Sequence, residues 1–86
     1  MKFVYVTEEH IAKGNRHGKG FDCALALALR DHFQVPAEGE VHVEPGVIEV
    51  DGNVYPMAQR VSAWMDRFDR LEEVKPFRFV IRSKPL

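Results

Sequence analysis

Between positions 13 and 20 the chain reads Lys13-Gly14-Asn15-Arg16-His17-Gly18-Lys19-Gly20. The glycines leave backbone amides able to turn toward a ligand, and Lys13, Arg16, His17 and Lys19 supply the positive or proton-bearing side chains. Amide-lined turns that run into a helix N-terminus hold phosphate and other anions. The chemistry this stretch suggests is binding of a small anion, such as a nucleotide, through Lys13, Arg16, His17 and Lys19. The spacing Gly14…Gly18-Lys19 is one residue short of a phosphate loop. It has no Ser or Thr after Lys19 and does not follow a strand directly, so it is not that motif. Asp22, just ahead of the next helix, opposes an anion at that end. The competing expectation is a solvated connecting loop.

Cys23 is the next reactive type. A thiol at a helix N-terminus can be activated, and His10 or His17 beside it would form a nucleophile–base pair, the basis of a hydrolase or transferase. No oxyanion-hole motif accompanies it, and Asp22 disfavours a thiolate. The expectation is therefore a buried Cys23 that acts as a small apolar residue. His10, His17, His32 and His42 show no metal-ligand spacing, and one cysteine allows neither an intramolecular disulfide nor a Cys-based zinc cluster. No cofactor motif is recognised. Asp66 and Asp69 lie among Arg60, Arg67 and Arg70 and read as surface ion pairs rather than as a carboxylate dyad.

The elements that must position these groups follow from periodicity. Residues 2–6 are aromatic and β-branched and predict a central strand. Thr7 is an N-cap candidate for a short helical turn through Ala12, ended by Gly14. Asp22–Phe33, rich in Ala and Leu with no breaker, predicts the core helix, capped by Asp22 and apolar nearly all round. Residues 40–44 alternate as a half-buried strand, Pro45-Gly46 is a turn, 47–50 a second strand, and Asp51-Gly52 a hairpin turn leading to a brief strand at Val54-Tyr55. Pro56 suits the start of a second helix over residues 57–71, whose stripe is Val61, Trp64, Met65, Phe68 and Leu71. Residues 77–82 alternate as a last strand. The order β-α-β-β-α-β is that of the ferredoxin-like, split βαβ sandwich, an α+β fold with two helices on one antiparallel sheet.

The chain has 86 residues, enough for one domain with a modest core. With 45% hydrophobic and 29% charged residues it reads as a soluble globular protein. A net charge of −1 gives no electrostatic case for nucleic acid or an anionic membrane. No apolar run reaches the roughly 18–20 residues of a membrane span, and the N-terminus is too short and too soon acidic for a signal peptide. The single cysteine fits a reducing cytoplasm. Charge is unevenly placed: between Asp31 and Gln59 there is no Lys or Arg, but there are Asp31, Glu38, Glu40, Glu44, Glu49 and Asp51. Lys75, Arg78, Arg82 and Lys84 follow near the end. In the expected sheet Glu40 and Glu44 lie on one edge, Arg78 and Arg82 on the other. These four residues are either edge protection or a surface for a partner or a second copy.

The layout Val6-Thr7, Ile11, Gly14, Arg16, Cys23 at the head of an Ala/Leu helix, Phe68-Asp69 and Pro76-Phe77-Arg78-Phe79 resembles a family of small proteins of bacteriophages and actinobacteria. Members usually carry Pro after the Cys, where this chain has Ala24. The resemblance names no substrate; it implies a phage or prophage protein in a bacterial cytoplasm. With the charge pattern, it leads to the expectation of a small non-catalytic binding protein that acts on a host or defence protein. A homodimer is expected through the helical face or the apolar hairpin around Ile48, Val54 and Tyr55. The alternative is an anion binder built on residues 13–20.

Overall fold

The computed structural model describes residues 2–16, 22–36 and 38–81. Strand β1 is Lys2–Val6, helix α1 Glu8–Lys13 and helix α2 Ala24–Phe33. Strands β2, β3 and β4 are Val41–Glu44, Val47–Val50 and Asn53–Pro56; helix α3 is Gln59–Asp69 and strand β5 is Phe77–Ile81. The class is α+β with antiparallel sheets, as the pattern predicts. The strand pairing differs from the split βαβ arrangement. β1 pairs only with β5, and β2, β3 and β4 form a separate meander in that order. The cause is the brief strand at residues 53–56. It occupies the edge of β3 that would otherwise receive β1, so β1 keeps only its pairing with the last strand and the single sheet divides in two.

Both sheets bury one face. Val4, Val6, Phe79 and Ile81 point inward from the ribbon, and Val41, Val43, Ile48, Val50 and Tyr55 from the meander. Helix α2 touches β1, β2 and α1, which is why an Ala/Leu helix with little polar surface is stable here. Its Ala24, Leu25, Ala26, Ala28 and Leu29 are buried, while Leu27 is only half-buried. Burying a leucine removes about 2–3 kcal/mol of apolar exposure, so Leu25 and Leu29 anchor the helix. The hairpin between β3 and β4 turns on Asp51 and Gly52, both left-handed at φ 47° and 86°; the Asp-Gly pair suits that geometry. Gly14 is required for a different reason. A Cβ there would lie 2.5 Å from the Ala24 amide nitrogen, so only glycine lets the end of α1 meet the start of α2.

Three expected boundaries move. Cys23, not Asp22, is the N-cap of α2, and no side chain caps it. Asp22 instead faces the incoming loop: its carbonyl accepts from the Asn15 amide at 2.9 Å and its carboxylate from Asn15 Nδ2 at 3.2 Å. Pro56 ends β4 rather than opening α3, which begins at Gln59. Leu71 leaves the apolar stripe because α3 stops at Asp69; it takes a left-handed φ of 63° and is 69% exposed. The rest of the stripe, Val61, Trp64, Met65 and Phe68, is buried as expected, and the Trp64 indole N–H donates to the Lys75 carbonyl at 3.0 Å.

Candidate functional site

Of the four residues expected to hold an anion, His17 and Lys19 lie outside the described residues. Arg16 has a different task. Its Nη1 donates to the carbonyls of Phe68 and Glu72, each at 2.9 Å, and its guanidinium sits 4.3 Å from the centre of the Phe68 ring. It therefore satisfies carbonyls at and beyond the end of α3, where the helix leaves acceptors without intrahelical donors. Lys13 pairs with Glu9 one turn back on α1 at 3.3 Å. Neither described cation is turned to a ligand.

The described histidine with the most buried surroundings is His10, and its contacts have the look of a triad. Thr7 Oγ1 is 3.2 Å from His10 Nδ1, and His10 Nε2 is 2.5 Å from Asp31 Oδ2. The hydrogen bonds assign another role. The Thr7 backbone amide donates to His10 Nδ1 at 3.0 Å, and the His10 amide donates to Thr7 Oγ1 at 3.3 Å. That is a reciprocal capping box at the start of α1 with histidine in the third position. The lone pair of Nδ1 is committed to an amide N–H, which fixes the proton on Nε2, toward Asp31. In this arrangement the ring offers no base to the Thr7 hydroxyl. His10 instead joins α1 to α2. The Thr-x-x-His spacing signalled this, being a variant of the usual box; the partner Asp31 left no sequence signal.

Cys23 is buried at 2% exposure, and burial pushes its thiol pKa up. Amides of Ala26 and Leu25 pull the other way, and the charge of Asp69 adds to the rise. A raised pKa leaves little thiolate at neutral pH, in line with the expected apolar role. Asp66 pairs with Arg70 as expected for the surface of α3. Asp69 does not: its Oδ1 is buried with no hydrogen-bond partner among the described residues, and its carboxyl pKa is raised, first by burial and then by Asp66. Among the described residues no group of three or more His, Cys, Asp and Glu is placed to hold a metal ion, and no helix is long and apolar enough to cross a membrane.

The acidic residues of 31–51 divide by function. Asp31 is used by His10. Asp51 closes the open end of the β2–β3 hairpin, its Oδ1 accepting from the Glu40 amide at 2.9 Å and its own amide donating to the Glu40 carbonyl at 2.8 Å. Glu40, Glu44 and Glu49 remain at the surface. Glu49 lies opposite His42 across the pair, and His42 in turn reaches Glu44 at 3.8 Å. Among the described residues no Lys or Arg pairs with these three glutamates. A hollow of about 390 Å³ beside them is lined by Arg30, Gly39, Glu40, Val41, His42 and Glu49. The Arg30 guanidinium is held there by the carbonyls of Pro36 and Gly39, at 3.2 and 3.0 Å.

Arg78 is on the other sheet. It projects from the outer face of the β1–β5 ribbon, 4.7 Å over the Phe3 ring; Arg82 lies outside the described residues. Acidic and basic residues thus belong to two sheets, not to the two edges of one. The hairpin expected as an apolar contact surface is turned inward: Ile48 and Tyr55 are buried. Comparison of the chain with protein-family models, with curated proteins and with solved structures gave no match.

Proposed function

We propose that this chain is a small non-catalytic binding module that docks a basic segment of a partner protein on the acidic side of its meander. The observation that carries it is the set Glu40, Glu44 and Glu49, exposed or half-buried around His42, three carboxylates that form no ion pair with a described Lys or Arg and outnumber the single Arg30 guanidinium beside them. Carboxylates grouped in excess of nearby cations raise local negative potential and speed encounter with a positively charged surface. The family resemblance supports a phage or prophage origin, a bacterial cytoplasm as the place of action and a host or defence protein as the partner. An anion held by Lys13, Arg16, His17 and Lys19 has less in its favour, since Arg16 and Lys13 are already engaged within the chain.

The test is capture from a bacterial lysate by the tagged full chain and by its Glu40→Lys/Glu44→Lys/Glu49→Lys variant. A protein retained by the first and lost by the second, with binding weakened by salt, is the expected result. Equal retention by both, or none by either, overturns the docking surface. A nucleotide retained in the native mass spectrum of the purified protein would reinstate the anion binder.

A further inference from the structure

We propose that the outer face of the β1–β5 ribbon is the contact surface of a homodimer, with a second copy of this chain as its occupant. Tyr5, 57% exposed, and Val80, 48% exposed, are large apolar side chains left in contact with solvent on this face. Phe3 completes the group: it lies opposite Val80 in the strand register, and its ring is 6.3 Å from that of Tyr5. Arg78, opposite Tyr5, lays its guanidinium over Phe3. The ribbon thus exposes Tyr5 and Val80 outward, with the half-buried Phe3 beside them, and buries Val4, Val6, Phe79 and Ile81 inward. A strand pair needs only its inward face for the core; aromatic residues on the outward face as well mark a surface that meets something.

The charges beside the patch select the occupant. An open depression of about 720 Å³ at the end of the ribbon is lined by Tyr5, Thr7, Glu8, Pro76 and Arg78 among others. Arg78 has no described carboxylate partner, and Glu8 has no described cation. A partner of one sign would gain from one of them and be repelled by the other. A second copy meets both. A two-fold axis through the depression sets Arg78 of each copy toward Glu8 of the other and closes the apolar side chains between them, the self-complementary condition of an isologous dimer. Addition of a further strand along β5 is disfavoured, because the Arg78 carbonyl already accepts from Arg60 of α3 at 3.2 Å. A chain of this size has little core of its own, so covering this face adds to stability. The surface is distinct from the acidic side of the meander, and the dimer leaves that side open.

Sedimentation of the full chain from micromolar to millimolar concentration tests this. The expected result is a concentration-dependent dimer that survives about 0.5 M salt, where charge pairs alone are screened within a few ångströms. Arg78→Glu and Glu8→Arg should each raise the dissociation constant at least about tenfold by setting like charges together, and the combined variant should recover much of the loss. A monomer throughout, or a dimer indifferent to both single variants, overturns the proposal. Should a variant fail to fold, concentration-dependent amide shifts of the unaltered protein decide. Shifts at Phe3, Tyr5, Arg78 and Val80 support the face, and shifts confined to other residues overturn it.

Discussion

The ribbon β1–β5 and the meander β2–β3–β4 share one core but present opposite outer faces. Both alternate, both bury valine, isoleucine or aromatic residues inward, and both lean on α2. Outward, the ribbon carries Phe3, Tyr5, Arg78 and Val80, whereas β2 and β3 carry His42, Glu44, Val47 and Glu49. The inward residues decide that each segment is a strand and which face is covered. They say nothing of what the other face meets. The outward residues carry that information, and here they point to two different occupants. Apolar surface suits a lasting contact, and unpaired charge suits a fast, salt-sensitive one.

The comparison rests on α2 being the shared support, and its loss is the largest effect expected. Leu29→Ala removes a fully buried side chain from the core packed between both sheets and should cost roughly 2–5 kcal/mol, the usual range for such cavities. Leu27→Ala, at a half-buried position of the same helix, should cost clearly less. Urea unfolding gives both values. A single transition, with amides of ribbon and meander losing protection together, is expected for one core. Separate transitions would mean that the two sheets are separate folding units, and the comparison would lose its common frame.

Next in size is Arg16, which acts on one side of the molecule. It bridges the carbonyls of Phe68 and Glu72 and stacks on Phe68, which lies against Trp64, whose indole meets Phe77 of the ribbon. Loss of two charge-assisted hydrogen bonds in Arg16→Gln should cost about 1–3 kcal/mol. Arg16→Lys should not restore the loss, because an ammonium neither stacks on the ring nor spans both carbonyls in a plane. Hydrogen exchange should quicken first at the end of α3 and in the ribbon, with the meander least affected. Equal loosening of both sheets would remove the distinction.

Much of this was legible in the chain. Alternation at 40–44 and 47–50, the Asp-Gly turn, the helical run of Ala and Leu and the Val61–Phe68 stripe each depend on local periodicity. What was not legible depended on distant partners. Strand pairing is one case: Val54-Tyr55 reads as a strand, but that it excludes β1 from β3 follows only when the edges are counted. Arg16 is another. In sequence it is a cation among glycines, and its acceptors come 52 and 56 residues later. His10 lies between the two, for its capping partner Thr7 is three residues away and its bridging partner Asp31 is not local. The acidic run was visible, but not that Asp31 and Asp51 are spent inside the fold.

The smallest expected effect separates two kinds of carboxylate. Glu44 stands in solvent on the meander, whereas Asp69 is partly buried at the end of α3, with Oδ1 unpaired among the described residues. Burial, and secondarily the charge of Asp66, hold the Asp69 carboxyl pKa above the usual carboxylate range. A raised pKa means that the folded protein holds this proton more tightly than the unfolded chain. The contribution is therefore favourable below the unfolded value and is lost as pH rises through the folded one. At neutral pH the ionised group is a cost to folding. Asp69→Asn removes that cost, so its urea midpoint should exceed that of the unaltered protein at pH 7. The difference should shrink as acid protonates Asp69. Parallel pH profiles for Asp69→Asn and the unaltered protein would show that Asp69 is as well solvated as the meander's glutamates. The contrast between a carboxylate enclosed by the fold and carboxylates available to a partner would then fail.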